Sequence, residues 1–186
     1  MPQVVAFLRA INVGGHVVTM ERLRALFEEA GCEAVETFIA SGNVIFNTKA
    51  RNLAALETKL EKHLHQALGY EVKTFLRTVP EVEQLAQYTA FNAKDQASAH
   101  TVSVGFLAGP LDGDAIKSVN ALQSPEDAFH HNGRELFWLT RISQADSKLS
   151  NTKFEKAMKA NVTFRNVNTV VRLAGKYGAS KAKAKG

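Results

Sequence analysis

The feature that most constrains this chain is an order of predicted elements, β-α-β-β-α-β, that occurs twice along its 186 residues. In the first half, four short apolar runs have the length and composition of β-strands. They are Val4–Leu8, Val35–Ile39, Val44–Phe46 and Val72–Leu76. Two amphipathic helices lie between these runs, one capped by Thr19 and one opened by Asn52. The glycines that follow them, Gly31 and Gly69, predict where the helices end.

The second half repeats this order with weak sequence similarity. Strand-like runs cover residues 101–107, 128–131, 134–139 and 161–164, and Asn132–Gly133 predicts a hairpin. Helices are predicted to begin near Asp112, Asn151 and Asn168. The order is that of a ferredoxin-like α+β unit, so we expect two tandem ferredoxin-like subdomains. The predicted boundaries are 1–88 for the first, 89–99 for a connector, 100–177 for the second and 178–186 for a lysine-rich tail.

The net charge of +5 comes almost entirely from the end of the chain. Residues 176–186 contain four of the 23 lysine and arginine residues and no acid, which leaves 19 basic residues against 18 acidic ones in residues 1–175. The tail 178–186 has no large apolar side chain, so we expect it to be disordered. Because the body is nearly neutral, nucleic-acid binding is expected only through this tail.

Cysteine content and the N-terminal sequence favour a cytoplasmic protein. Cys32 is the single cysteine, so no intrachain disulfide can form. The first residues lead directly into an apolar strand, without the basic and long apolar regions of a secretory signal. No apolar run approaches the roughly 18 residues of a membrane-spanning helix, so no membrane association is expected.

Two polar segments of the first half are predicted to share one edge of its sheet. The first two strands of such a unit run parallel, so the loop after the first strand and the turn after the second lie at the same edge. The candidate site residues there are Arg9, Asn12, Gly14, Gly15, Ser41 and Asn43. Glycines let backbone N–H groups approach a ligand and the following helix N-terminus favours anions, which predicts a small anionic ligand. The simpler interpretation is that these residues only form tight turns.

Polar residues of the second half form another candidate set, before its second helix and after its last predicted strand. They are Lys148, Ser150, Asn151, Arg165, Asn166 and Asn168. Helix capping explains the hydroxyl and amide groups. It does not explain Lys148 and Arg165, because a cation at a helix start opposes the helix dipole unless an anion offsets it.

Four ordered motifs in this sequence resemble one family. They are Leu8–Gly15, Ser41–Val44, Ser147–Asn151 and Arg165–Thr169. They resemble the bacterial family known as domain of unknown function 1697, over the whole chain except the lysine tail. The resemblance implies two ferredoxin-like subdomains and, because the family has no assigned activity, implies no catalytic residue. Two departures are visible: Ala10 stands where the family usually has Gly, and Val167 where it usually has Trp.

Signatures of metal, nucleotide and RNA sites do not occur in this sequence. His63 and His65 point apart on a helix, and two adjacent histidines alternate across a strand, so no metal site is expected. Neither the phosphate-loop motif nor the dinucleotide fingerprint is present, so no cofactor is expected. The third strand lacks the flanking basic and aromatic residues of an RNA-recognition module.

The sequence therefore favours a protein that binds a small anionic or phosphate-bearing ligand. Antiparallel packing of the halves would bring both candidate sets into one cleft between the subdomains, with Arg9, Lys148 and Arg165 in it. Parallel packing would leave the two sets apart, as turns and caps. The sequence leaves open whether the ligand is chemically changed, and it identifies no catalytic residue. The alternative function is a nucleic-acid or protein-partner binding module without catalysis.

Overall fold

The computed structural model describes residues 1–179 of the chain, apart from the side chains of Ala40 and Ser41. These residues form two four-stranded antiparallel sheets, each with the strand order of a ferredoxin-like unit. The predicted α+β class with two tandem ferredoxin-like halves is confirmed. From residue 180 onward the predicted lysine-rich tail lies outside the described residues.

The first half follows the predicted order of elements. Its strands are β1 (Gln3–Arg9), β2 (Glu33–Phe38), β3 (Ala40–Asn47) and β4 (Lys73–Thr78), and its helices are α1 (Met20–Glu29) and α2 (Leu53–Leu68). The strands lie in the order β2-β3-β1-β4, so β4 is an edge strand. Two short helices, α3 (Val79–Gln87) and α4 (Ala93–Ser98), then lead to the second half.

The second half has the same arrangement with shorter elements. Its strands are β5 (Thr101–Phe106), β6 (Asp127–Asn132), β7 (Glu135–Thr140) and β8 (Thr163–Asn166), and its helices are α5 (Gly113–Asn120) and α6 (Asn151–Met158). The strands lie in the order β6-β7-β5-β8, with each strand at the position of its counterpart in the first sheet. A last helix, α7 (Val167–Tyr177), follows β8.

Capping side chains fix the helix ends as the sequence predicts. The Thr19 hydroxyl accepts a hydrogen bond from the Arg22 N–H, and the Asn52 amide oxygen accepts one from the Ala55 N–H. After α2, Gly69 has a φ of +81°, the left-handed conformation that commonly ends a helix. Asp112 and Ser150 cap α5 and α6 in the second half in the same way, so both halves define their helices by the same local chemistry.

Each sheet uses one face to pack against its two helices. In the first half, alternate residues of β1 and β3 pack with the leucine stripe of α2 and the apolar face of α1. The opposite face is also buried, at Val5, Phe7, Ile45 and Phe75. Burial on both faces explains why the first strand reads as a continuous apolar run rather than as an alternating one.

The two sheets correspond residue by residue across their strands. The register aligns Glu36, Ile45, Val5 and Arg77 in the first sheet, and His130, Phe137, Val104 and Arg165 in the second. Both arginines lie on the last strand of their sheet, and each Nη1 donates to the carbonyl of the preceding residue, at 2.8 Å for Arg77 and 2.9 Å for Arg165. This shared detail agrees with an internal duplication.

The chain divides into two compact units, and α7 contributes to both. One unit contains residues 1–85 together with α7 from Val171 onward, and the other contains residues 86–170. Within the first unit the Tyr177 hydroxyl donates to Glu36 at 2.8 Å, and the Lys176 Nζ lies 5.1 Å from the centre of the Phe38 ring. The described start of the basic C-terminal segment therefore lies against β2.

Carboxylates cover the exposed edge of β4. The outward N–H groups of this strand, at Thr74, Leu76 and Thr78, donate to Glu61, Glu57 and Glu81 respectively, at 3.0, 2.9 and 2.7 Å. An edge strand with unpaired N–H groups can pair with another chain. Helix side chains remove that hazard here.

Two local predictions are wrong. Ser41–Asn43 does not form the turn between β2 and β3, because these residues already belong to β3 and the chain reverses at Ile39, with a φ of +66°. Asn43 is drawn into the sheet because its amide donates to the Phe38 carbonyl at 3.1 Å. Arg165 does not lie at a helix start, because β8 extends through it and pairs it with Val104.

Candidate functional site

One edge of the first sheet gathers the polar segments that the sequence singles out. At the end of β1, Phe7 lies opposite Asn43 of β3, and Arg9 lies opposite Lys73 of β4. We call this edge the β1–α1 rim, and it consists of residues 9–20, the reversal at 38–43 and residues 70–74. The topology places the end of β1 and the β2–β3 reversal at one edge, as predicted, and the start of β4 lies at the same edge.

The loop between β1 and α1 holds an unusual concentration of left-handed backbone. Ala10, Asn12, Gly14 and Gly15 have φ values of +65°, +54°, +65° and +85°. At both glycines a β-carbon would meet nothing within 4 Å, so conformation and not space requires glycine there. Ala10 adopts this conformation with a β-carbon, which costs roughly 1 kcal/mol. The glycine usual in the resembling family at this position is therefore explained by backbone geometry.

Asn12 and Asn43 have structural roles at this rim. The Asn12 amide oxygen accepts a hydrogen bond from the Val18 N–H at 2.5 Å and so holds the loop closed. Asn43 is 2% exposed and holds the β2–β3 reversal through the Phe38 carbonyl. These contacts agree with the simpler interpretation of both asparagines as turn-forming residues.

Tyr70 and Thr74 bring two unsatisfied hydroxyl groups to the rim. The His16 ring stacks on the Tyr70 ring with 4.0 Å between centroids, which fixes the end of the loop over the start of β4. Within the described chain, the buried Tyr70 hydroxyl and the Thr74 hydroxyl have no hydrogen-bond partner. Burial raises the pKa of Tyr70, so the hydroxyl keeps its proton and can donate it. Unsatisfied buried hydroxyls are rare and need an explanation.

Apolar side chains at the same rim are exposed. Val13, Val17 and Met20 are 60%, 83% and 48% exposed, and Ile39 at the β2–β3 reversal is 47% exposed. Ile39 combines this exposure with a left-handed backbone, which is strained for a β-branched residue. The sequence alone does not single out these residues or Tyr70 as site residues. The signal available in the sequence was the presence of valines within a glycine-rich polar loop, where apolar side chains are unexpected.

The charged groups of the rim are partly neutralised. Lys73 lies 3.2 Å from Glu61 and 3.3 Å from Glu71. Burial acts to lower the pKa of Lys73, but hydrogen bonds and attraction from these two glutamates outweigh it and raise the pKa. Arg9 is half-buried at the end of β1. Ser41 lies in β3, at the same edge.

The members of the second candidate set have different local partners. Ser150 caps α6 by accepting from the Lys153 N–H, and the Asn168 N–H donates to the Asn166 side chain at 2.9 Å. Arg165 lies on the sheet face away from α5 and α6, where burial lowers its pKa to about 10. Lys148 lines a pocket together with Glu126, Asp127 and Asp146. The surroundings of Lys148 are therefore acidic and do not favour an anion.

The described cysteine, histidine and acidic side chains give little indication of catalysis or metal binding. Burial raises the pKa of Cys32 to about 11, although nearby Lys59 acts to lower it, so the thiol stays protonated. Among residues 1–179, no group of three or more His, Cys, Asp or Glu side chains is placed to hold a metal ion. In that same range no helix combines the length and apolar character needed to cross a membrane.

Comparisons with known proteins identify a family and a fold. The model of a family described as protein of unknown function, DUF1697, matches residues 1–137. A solved structure of the conserved bacterial protein SP0830 from Streptococcus pneumoniae is similar over 95% of this chain and 98% of its own, with a TM-score of 0.73 and 24% identity. At that identity the likeness shows the fold alone. A comparison with curated proteins finds no match.

Proposed function

We propose that this chain, which belongs to the DUF1697 family of proteins of unknown function, binds a small anionic or phosphate-bearing ligand at the β1–α1 rim. The observation that carries the proposal is the buried hydroxyl of Tyr70, which has no hydrogen-bond partner within residues 1–179 and belongs to a ring that stacks on His16 of the loop. A hydroxyl donor in this position is satisfied when an acceptor oxygen binds beside it.

The loop backbone supports an anionic ligand. Left-handed residues turn successive N–H groups toward one side of a loop, and such concavities bind anions. Four left-handed residues, Ala10, Asn12, Gly14 and Gly15, lie within six positions of the chain. The loop leads into α1, whose N-terminal dipole adds positive potential. Strain retained at Ala10 is also typical of functional loops.

The exposed apolar side chains indicate that the ligand has an apolar part. Val13, Val17 and Ile39 would gain burial if such a group lay across the rim. An aryl or alkyl phosphate fits both features better than inorganic phosphate. Lys148 and Arg165, and the cleft that would join them to this rim, remain a prediction from the sequence.

The test measures the binding of phenyl phosphate, with inorganic phosphate and benzyl alcohol as partial probes. We expect phenyl phosphate to bind more tightly than either probe, and Tyr70→Phe to weaken it about tenfold, the value of one hydrogen bond to a charged acceptor. The melting temperature of the free variant should not fall, because only an unsatisfied hydroxyl is removed. Tyr88→Phe, between α3 and α4, is the control for binding; because its hydroxyl lies 2.7 Å from His130 Nε2, this variant should lose stability without losing phenyl phosphate binding. Equal affinity for Tyr70→Phe and wild type would contradict the proposal.

A protein-partner role is the second candidate, and the exposed apolar cluster favours it. Val13, Val17, Met20 and Ile39 are anchor residues of the kind that protein interfaces bury. This role predicts that Val17→Ser abolishes association with a partner while phenyl phosphate binding is weak or absent. The nucleic-acid alternative predicts salt-sensitive DNA or RNA binding that is lost when residues 178–186 are removed.

A further inference from the structure

The second half contains the pocket that Lys148 lines, which forms no part of the proposed ligand site at the β1–α1 rim. Its cavity has a volume of about 340 Å³ and lies between two loops, residues 122–127 after α5 and residues 142–149 after β7. We call it the loop pocket. The volume lies at the lower end of the range for small-molecule sites. It is therefore large enough for a ligand of a few non-hydrogen atoms.

The charged groups that line the loop pocket are mostly acidic. Glu126, Asp127 and Asp146 contribute carboxylates, and Lys148 is the single basic residue in the lining. No ion pair within residues 1–179 joins any of these carboxylates to a cation. Their hydrogen bonds come from neutral groups instead: Glu126 and Asp127 share the one Ser124 hydroxyl, at 3.1 and 3.3 Å, and the Ser143 hydroxyl donates to Asp146 at 2.8 Å. The wall of the pocket therefore keeps an excess of negative charge.

One of these carboxylates is fixed in position. Asp127 is 5% exposed, and its side chain accepts the indole N–H of Trp138 at 2.7 Å and the Ser124 hydroxyl at 3.3 Å. Both partners are neutral, so neither cancels the charge. A buried carboxylate without a cation is costly, and a cationic ligand would offset that cost.

Arg141 makes the loop pocket a preformed one. Its backbone N–H donates to the Glu126 carbonyl at 2.8 Å, and its guanidinium donates to the Pro125 carbonyl at 3.1 Å. The same guanidinium binds Asp95 at 2.8 Å and the Ser98 hydroxyl at 2.8 Å. The two loops and α4 are thus held together before any ligand binds, which lowers the entropic cost of binding.

We infer that the loop pocket binds a small organic cation, an alkylammonium group with a short apolar chain. Leu122, Ile142 and Leu149 supply an apolar wall for the chain, and the carboxylates supply acceptors for the ammonium group. An organic cation fits better than a metal ion, because the described acidic side chains are not grouped for metal coordination. The loop pocket lies in the second half and would take a cation, whereas the proposed function concerns an anion bound in the first half. The cation site therefore does not depend on the proposed function.

The experiment titrates the full-length protein with n-butylammonium and follows backbone amide shifts by NMR at fixed ionic strength. We expect saturable shifts confined to residues 122–127 and 142–149, with a dissociation constant in the low millimolar range for a ligand of this size. Butyrate and n-butanol should produce no such shifts. Equal shifts with either of them, or shifts spread over the whole surface, would overturn the inference.

Two pocket variants, which should move the affinity in opposite directions, and one control variant sharpen the test. Glu126→Gln together with Asp146→Asn removes two exposed charges and should weaken binding about tenfold or more. Lys148→Gln removes the opposing charge and should strengthen binding a few-fold. Glu28→Gln, an exposed acid on α1, should change nothing. Unchanged affinity in both pocket variants would refute the cation site, and the wild-type shift map decides the question if a variant fails to fold.

Discussion

The two halves of this chain make the same connection in very different ways. In the first half, residues 10–19 join β1 to α1 through a strained loop with exposed valines. In the second half, residues 107–112 join β5 to α5. There Leu107 is 1% exposed and Leu111 packs on the core, so the connection is short and anchored. Because the second half folds with the short form, a ferredoxin-like unit does not require the long one.

This difference supports the proposal that the longer loop serves function rather than folding. The two halves serve as controls for each other, because positions that are equivalent in register must meet the same packing requirements. Where the halves agree, as in the helix caps and the two arginines Arg77 and Arg165, the fold explains the residue. Where only one half carries strain and exposed apolar groups, the fold does not explain them.

The largest expected effect tests the register equivalence itself. Ala6 lies opposite Leu76 in the first sheet, and the equivalent pair in the second sheet is Gly105 and Phe164. A β-carbon at Gly105 would lie 2.7 Å from the Phe164 ring, so Gly105→Ala should destabilise the protein by about 2 kcal/mol. Urea unfolding measures the change.

A second substitution controls this prediction. Phe164→Leu recreates the Ala6–Leu76 pair in the second sheet. It destabilises the wild type because it removes the contacts of Phe164 with Trp138 and Phe154, but it should cost less stability in the Gly105→Ala background, where it relieves the closest clash. If Phe164→Leu costs the same in both backgrounds, the two sheets do not share packing position by position.

The sequence predicts the ends of helices better than it predicts the contacts that form between separate segments. Helix ends follow from local chemistry at Thr19, Asn52 and Gly69, so a single sequence suffices to find them. The reversal at Ile39 does not, because it depends on the Asn43 amide bonding back to Phe38 across the hairpin. A burial-dependent feature such as the unsatisfied Tyr70 hydroxyl needs the tertiary structure, since a lone tyrosine after a helix carries no such signal.

A smaller effect tests the strain in the longer loop. Ala10 has a φ of +65°, so Ala10→Gly relieves the steric cost of the left-handed conformation. Part of this gain is lost because glycine gives the unfolded chain more freedom. We expect a net stabilisation of about 0.5 kcal/mol in thermal or urea unfolding.

The matched control for Ala10 is an alanine in ordinary helical conformation. Ala54→Gly, at an exposed position of α2, should destabilise by about 1 kcal/mol. If both substitutions destabilise the protein, the loop holds no strain at Ala10, and the contrast between the two connections loses its energetic basis.

The most direct test of the central claim replaces residues 10–18 with the sequence of residues 107–111, which keeps Thr19 as the cap of α1. The leucines of the graft take over the core positions of Ile11 and Val18. Calorimetric titration with phenyl phosphate, on a variant shown by unfolding to be folded, then measures binding. We expect a folded protein that no longer binds phenyl phosphate. A folded graft that binds it as tightly as the wild type, or a graft that cannot fold, would contradict the claim that the longer loop serves function rather than structure.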